Sequence, residues 1–264
     1  MEIGNPNDPL LLQVLPQPEE LLETAGFNRD PLDEAASFHS GTITKYPRRT
    51  LILASNACGI HCRFCFRRYL RQMEPETDTV LPNDPAIEEI ILSGGDPLML
   101  DDNELGNLCQ RIVRLPNIKR LRIHSRLPVA EPSRMSDNLN TVLNLPIPVY
   151  LVLHINHTNE LNDEFREYRR WLRSPILLSQ TVLLQRINDN LETLDRLFTR
   201  LTDMGIVPYY LHQLDKIHGA AHFEVPLATG CQLVQQLRRR LSGYAVPQYV
   251  REIADSPCKE ICYN

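Results

Sequence analysis

The stretch TLILASNACGIHCRFCF, residues 50–66, joins an apolar run to a loop rich in cysteine and sets the first unit of the fold. Residues 50–56 have the continuous apolar character of a buried β-strand. Cys58, Cys62 and Cys65 follow directly after it. In an α/β barrel the loops at the carboxyl ends of the strands carry the chemistry, so we expect the cysteines at that edge.

Six further apolar runs predict the other strands, at 88–94, 119–125, 148–155, 176–184, 206–213 and 248–254. Amphipathic patterns at 102–115, 190–204 and 227–241 predict helices between strands. Apolar strands that alternate with such helices are typical of a parallel sheet buried on both faces. About six βα units predict an open α/β barrel, smaller than the closed barrel of eight.

The composition of the 264-residue chain is that of an ordinary soluble protein. Hydrophobic residues make up 42% and charged residues 23%, and the formal net charge is −5. Such mild acidity gives no electrostatic reason to bind nucleic acid or an anionic membrane. No apolar run reaches the length of about 18 residues that spans a bilayer. The N-terminus lacks the features of a signal peptide, so we expect a cytoplasmic protein.

Four interpretations compete for the cysteine cluster. In the cytoplasm such a cluster favours metal over disulfides. A structural zinc site needs four ligands, and no second pair of them is evident. A thioredoxin-like pair of Cys62 and Cys65 would leave Cys58 without a role, and a chance cluster of buried thiols fits poorly with the arginines around it. A [4Fe–4S] cluster held by three thiolates is the interpretation that the spacing favours, since it leaves one iron open to a small molecule.

Polar and glycine residues follow three more of the predicted strands, at 93–96, 124–126 and 156–157. We expect them at the same edge of the sheet as the cysteines. Each has a plainer interpretation, because two glycines can form only a turn and polar residues often do no more than cap strand ends.

The cysteine spacing, with Phe64 before the last cysteine, resembles the motif of radical S-adenosylmethionine (SAM) enzymes. Further motifs resemble the lysine 2,3-aminomutase family over residues 4–259: CFRRY, SGGDPLM, RIHSRLPV, HINHTNE, SQTVLLQRINDN and PYYLHQLDKIHGAAHF. The stretches GNPNDPLLLQVLP and GAAHF are most similar to the branch that makes (R)-β-lysine for the modification of elongation factor P.

This resemblance implies a partial (β/α)6 TIM-like barrel of the radical SAM type at 49–246, with an N-terminal lead-in at 1–48 and a C-terminal strand and tail at 247–264. It implies an isomerase that moves the 2-amino group of L-lysine to carbon 3. The implied cofactors are a [4Fe–4S] cluster, SAM and pyridoxal 5′-phosphate (PLP). The product would pass to the ligase pathway of elongation factor P. No nucleic acid or membrane partner is expected, and the sequence permits a homo-oligomer.

The resemblance also implies roles for individual residues. The cluster ligands would be Cys58, Cys62 and Cys65. The SAM pocket would comprise residues Ser93, Gly94, Gly95, Asp96, Pro97, His124, Ser125, Arg126, Asn156 and Gln180. PLP would be bound covalently by Lys259, with its phosphate at Lys45, Tyr46 and Arg49. Substrate lysine would be held at its carboxylate by Arg67 and at its ε-ammonium by Asp215 and Glu252.

Other interpretations stay open beside the resemblance. Each predicted acid could pair with a basic neighbour, Asp215 with Lys216 and Glu252 with Arg251. By its local sequence, Lys259 is an exposed tail lysine. In function, the chain could cleave SAM on another amino acid or without PLP. It could also be a non-catalytic protein that binds an iron–sulfur cluster or zinc.

Overall fold

The computed structural model describes residues 1–69, 80–254 and 256–262. Within them, ten strands form one sheet in which each strand pairs with its neighbours in sequence. The strands are β1 Phe38–His39, β2 Thr42–Ile43, β3 Arg49–Ser55, β4 Glu89–Gly94, β5 Arg120–Ser125, β6 Val149–His154, β7 Ile176–Val182, β8 Val207–His212, β9 Gln248–Arg251 and β10 Glu260–Ile261. Pairing is parallel from β3 to β9 and antiparallel for β1–β2, β2–β3 and β9–β10.

The predicted α/β class is confirmed, and the seven predicted strands correspond to β3–β9. The edge strands β1, β2 and β10 escape prediction because each has only two residues, too few to show an alternating pattern. They extend the parallel sheet by antiparallel pairing at both edges.

Six α-helices lie among the described residues: α1 Asp102–Val113, α2 Leu127–Ala130, α3 Asp137–Val142, α4 Asp163–Arg169, α5 Leu191–Asp203 and α6 Leu227–Leu237. Helices α1, α5 and α6 match the predicted amphipathic stretches. Helix α1 begins after Asp101, whose side chain accepts hydrogen bonds from the backbone N–H groups of Asn103 and Glu104. The other three helices are too short for a 3.6-residue period to show. In the described ranges no helix is long and apolar enough to cross a membrane.

Alternation along the strands separates a core face from a cavity face. On β5, Leu121 and Ile123 are fully buried in the main hydrophobic core. Arg122 and His124 on the same strand line a cavity instead, because successive side chains of a strand point to opposite faces. The sheet therefore presents many of its polar side chains to the cavity, beside the apolar Leu51, Ile91 and Val182, while the opposite face builds the core.

Candidate active site

A cavity of ≈ 310 Å³ lies toward the carboxyl ends of the parallel strands. It is lined by residues from the cysteine loop, from the ends of β4 and β5, from β6 to β8 and from the tail after β9. All of the residues predicted for cluster, SAM, PLP and substrate line it except Pro97 and Asn156. Side chains that are more than two hundred positions apart in sequence, such as Lys45 and Lys259, thus share one site, as the position of the strand ends predicts.

The wall of the cavity is cationic although the whole chain is acidic. Six Lys or Arg side chains line it against four Asp or Glu. Within the described chain, Nε of Arg49 and Nε of Arg122 are buried without a hydrogen-bond partner. An unsatisfied buried donor costs roughly 1–3 kcal/mol. This part of the wall is therefore suited to an anionic ligand, and the donors present fit the phosphate of PLP.

Glu252 connects the predicted PLP lysine to the predicted phosphate residues. Its Oε1 accepts hydrogen bonds from Tyr46 Oη at 2.9 Å and from Lys45 Nζ at 3.3 Å, and its Oε2 accepts one from Lys259 Nζ. Arg251 instead pairs with Glu260 at 2.9 Å. The interpretation of Glu252 as a partner of its neighbour Arg251 is therefore wrong.

Lys259 is not an exposed tail lysine, because its side chain is only 24% exposed and lines the cavity. Burial lowers the pKa of Lys259 to about 8, although the nearby carboxylate of Asp215 opposes the shift. A lysine with that pKa has roughly a tenth of its amine in the neutral, nucleophilic form at pH 7, far more than an ordinary lysine has. The side chain therefore has the environment that covalent binding of an aldehyde needs.

Asp215 also faces the cavity, and burial raises its pKa to about 6 against the opposing effect of Lys259. Lys216 pairs with Glu224 at 3.2 Å, so the interpretation of Asp215 as a partner of Lys216 is wrong. Among the described residues the Asp215 carboxylate accepts no hydrogen bond, and at neutral pH it is mostly ionised. It is thus able to receive an ammonium group of a ligand.

Arg67 is held by an acid that the sequence does not predict. Its Nε and Nη2 donate to the two carboxylate oxygens of Glu34, both at 2.6 Å, and its Nη1 donates to Ser93 Oγ at 3.0 Å. Both members of the ion pair are nearly buried and line the cavity. No motif or spacing signals Glu34, because it lies in the lead-in and meets Arg67 only through the fold.

The three cysteines of the loop line one wall of the cavity, and all three are half-buried. Burial raises the pKa of the Cys62 thiol, and the positive charge of Arg126 opposes that shift. Nη1 of Arg126 also donates a hydrogen bond to Cys62 Sγ at 2.7 Å. Across the residues that the structure describes, no group of three or more His, Cys, Asp or Glu side chains is arranged to hold a metal ion. Three soft sulfur donors on one short loop nevertheless fit an iron–sulfur cluster in number and type.

The residues after β4 have a structural function of their own. The Asp96 carboxylate accepts hydrogen bonds from Ser125 Oγ at 2.7 Å and from the backbone N–H groups of residues 98, 126 and 127. It therefore ties the end of β4 to the end of β5. A Cβ at Gly94 would lie 2.8 Å from the carbonyl oxygen of Ser55, so glycine is needed where this turn meets the chain leading to Cys58. The predicted contact of these residues with SAM stays a prediction.

Asn156 is fully buried behind the cavity wall. Its Oδ1 accepts a hydrogen bond from the backbone N–H of Val182 at 2.9 Å, and its Nδ2 donates to Gln13 Oε1 at 2.9 Å. The sequence places it correctly after a strand but does not reveal that its amide is turned into the protein. Its predicted role in the SAM pocket stays a prediction.

Several lining residues are missed by the sequence analysis: Glu34, Arg122, His154, Tyr209, Tyr210 and His212. For Arg122 a signal was present, because it shares a strand face with His124 two positions later. Tyr209 and Tyr210 stack with ring centroids 3.8 Å apart, and Tyr209 Oη donates to Tyr210 Oη at 2.9 Å. This pair adds an aromatic wall to the cationic one.

Comparison with known proteins identifies curated relatives of the chain. No family model matches it. It is 43% identical to the protein named L-lysine 2,3-aminomutase of Escherichia coli (strain K12), over 98% of this chain and 79% of that protein. The protein of the same name from Haemophilus influenzae is 39% identical over 99% of this chain and 81% of its own length. That of Clostridium subterminale is 33% identical over 94% of this chain and 62% of its own length.

Proposed function

The chain belongs to the L-lysine 2,3-aminomutase family of isomerases, and on that basis we propose that it moves the 2-amino group of L-lysine to carbon 3 by radical SAM chemistry with PLP. The observation that carries the proposal is one cavity lined together by the three cysteines, the phosphate residues and Lys259. The product β-lysine would serve the modification of elongation factor P in the cytoplasm. The sheet would be the partial (β/α)6 barrel of radical SAM enzymes, in keeping with seven parallel strands in sequence order.

Cys58, Cys62 and Cys65 would hold the [4Fe–4S] cluster, and PLP would occupy the corner of the cavity around Lys259. When bound, these groups and SAM would supply a radical that removes a hydrogen atom from the substrate and a means to stabilise the resulting carbon radical. The residues of the chain itself would bind these groups, orient the substrate and shield the reacting atoms from water. Arg49 would direct its unpartnered Nε to the phosphate, beside Lys45 and Tyr46.

The substrate would lie between opposite charges. Arg67 would take its α-carboxylate and Asp215 its ε-ammonium, so that the distance between the two groups selects an amino acid of lysine's length. Glu252 differs from Asp215, because its carboxylate oxygens already accept hydrogen bonds from Lys45, Tyr46 and Lys259. We infer that Glu252 orients Lys259 before PLP binds and becomes available to the substrate ammonium afterwards.

The direct test is anaerobic reconstitution with iron and sulfide, followed by SAM, PLP, dithionite and L-lysine. We expect β-lysine and 5′-deoxyadenosine in the same sample, together with about four irons per chain. Deoxyadenosine without β-lysine would favour an enzyme that acts on another amino acid or without PLP. Zinc in place of iron, with no SAM cleavage under strong reductant, would favour the non-catalytic metal-binding protein.

Substitution of Glu34 by glutamine is expected to strengthen lysine binding. To bind Arg67, the substrate carboxylate must displace the Glu34 carboxylate from the guanidinium Nε and Nη2. The wild-type protein therefore loses the Arg67–Glu34 ion pair when it gains the ion pair between Arg67 and the substrate. Without that competing charge, KM for lysine should fall by about tenfold, which corresponds to about 1.4 kcal/mol. Steady-state kinetics of the reconstituted enzyme measure this change.

The matched control is Glu20→Gln. This change breaks the ion pair between Glu20 of the lead-in and Arg63 of the cysteine loop, and neither residue lines the cavity. It should leave KM unchanged. A KM that rises in Glu34→Gln would show that Glu34 orients Arg67 for the substrate rather than competing with it.

A further inference from the structure

Gln13 lies in the stretch DPLLLQVLP of the lead-in and is fully buried, although it is far in sequence from every predicted ligand. Its Nε2 donates to Pro9 O and to Glu160 Oε1, both at 2.9 Å. Its Oε1 accepts from Asn156 Nδ2 at 2.9 Å and from Arg126 Nη2 at 2.5 Å. A glutamine amide has two N–H donors and two acceptor sites, and all four are used here.

Arg126 stands between Gln13 and the cysteine loop. While Nη2 contacts Gln13 and, at 3.4 Å, Glu160 Oε1, its Nη1 donates to Cys62 Sγ. The guanidinium also lies over the ring of Phe64, 5.6 Å from the centroid. Arg126 is 8% exposed and Glu160 is 4% exposed, so both charges are removed from water. A buried guanidinium held on one side by an amide and a carboxylate has a fixed direction.

The backbone of the cysteine loop is attached at the same point. Arg63, directly after Cys62, donates its backbone N–H to Gln13 O at 2.9 Å. The lead-in therefore contacts the loop twice through one residue, once by its main chain and once through Arg126. Both contacts converge on Cys62 and on the residue directly after it.

We infer that Gln13 and Glu160 are positioning residues that hold the guanidinium of Arg126 against Cys62 and thereby raise the reduction potential of the iron–sulfur cluster. The inference rests on the proposed function, since it assumes that Cys62 is a cluster ligand. Hydrogen bonds to ligand sulfur and nearby positive charge favour the reduced cluster, which carries one more negative charge. A neutral residue such as Gln13 can influence the potential mainly through the placement of Arg126.

The test uses Gln13→Met, which preserves side-chain length and the absence of charge but removes all four hydrogen bonds. We expect a more negative midpoint potential for the reconstituted cluster and an altered electron paramagnetic resonance spectrum of its reduced form. Gln17→Met is the control, because it makes the same change in the same lead-in at a glutamine that does not line the cavity and whose side chain donates to Leu15 O. Its potential should equal that of the wild type.

The double variant Gln13→Met with Arg126→Met decides whether Gln13 acts through Arg126. We expect its potential to equal that of Arg126→Met alone, because positioning has no effect once the guanidinium is gone. Equal potentials of Gln13→Met and wild type, or additive shifts in the double variant, would overturn the inference and leave the proposed function intact. A wild-type protein without iron would overturn both.

If Gln13→Met does not retain the cluster, Gln13→Asn provides the same measurement with a milder change. Its amide keeps both polar groups but is one methylene shorter, so it cannot reach Arg126 and Glu160 together. We expect a shift in the same negative direction. A potential unchanged in Gln13→Asn, together with cluster loss in Gln13→Met, would assign Gln13 to folding of the lead-in and overturn the inference.

Discussion

Replacement of Cys62 by alanine is expected to abolish turnover completely and to leave the reconstituted protein with little bound iron. Cys62 is the central one of the three loop cysteines and lines the cavity. Its sulfur accepts a hydrogen bond from the guanidinium of Arg126. A [4Fe–4S] cluster with one iron open to SAM needs all three cysteine ligands, because two thiolates cannot hold the three remaining irons. Iron and sulfide analysis, the visible spectrum and formation of 5′-deoxyadenosine measure the loss.

Cys109→Ala is the matched control for this prediction. Cys109 is fully buried in α1 and packs in the main core, away from the cavity. The variant should keep iron and turnover, with a loss of stability of about 1 kcal/mol for the lost sulfur contacts. Turnover that survives in Cys62→Ala would contradict the radical SAM mechanism, whereas retention of zinc but not iron by the wild type would favour a metal-binding protein.

The contrast between these two cysteines shows what the sequence can predict. The strand pattern locates β3 to β9, and the position after a strand end brings the cysteine loop to the cavity. Burial of Cys109 follows equally from its place on the apolar stripe of α1. Periodicity and strand ends are local properties, so a single sequence contains them.

The pairing of charges inside the cavity is not local and could not be predicted. Glu34 is 33 positions from Arg67, and Gln13 is 113 positions from Arg126. The partner of each polar group depends on how the lead-in crosses the ends of the strands. No periodic pattern in the sequence predicts the course of the lead-in there. The same limit explains why Lys259 reads as an exposed tail residue although the tail returns through β10 beside β9 and places it in the cavity.

Replacement of Lys259 by alanine should remove covalent PLP binding and lower the apparent PLP affinity by at least about 100-fold, or about 3 kcal/mol. The variant lacks the amine that would bind PLP, and Oε2 of Glu252 loses the ammonium group of Lys259 with which it pairs. We expect no visible absorbance from protein-bound PLP and no β-lysine. Lys216→Ala is the control, since Lys216 is half-exposed, pairs with Glu224 and does not line the cavity.

The pH dependence of PLP attachment provides a sharper test of the same residue. The neutral amine attacks the aldehyde, and the ammonium form, which predominates below about pH 8, does not. The attachment rate should therefore rise by about tenfold between pH 7 and pH 9 and then level off. An ordinary lysine would give a rate that keeps rising toward pH 10.5, its usual pKa. A rate that is half-maximal near pH 8 in the wild type, levels off above about pH 9 and vanishes in Lys259→Ala would identify the buried amine as the attacking group, because burial in the cavity is what lowers its pKa. A rate that continues to rise above pH 9 would place PLP on another lysine.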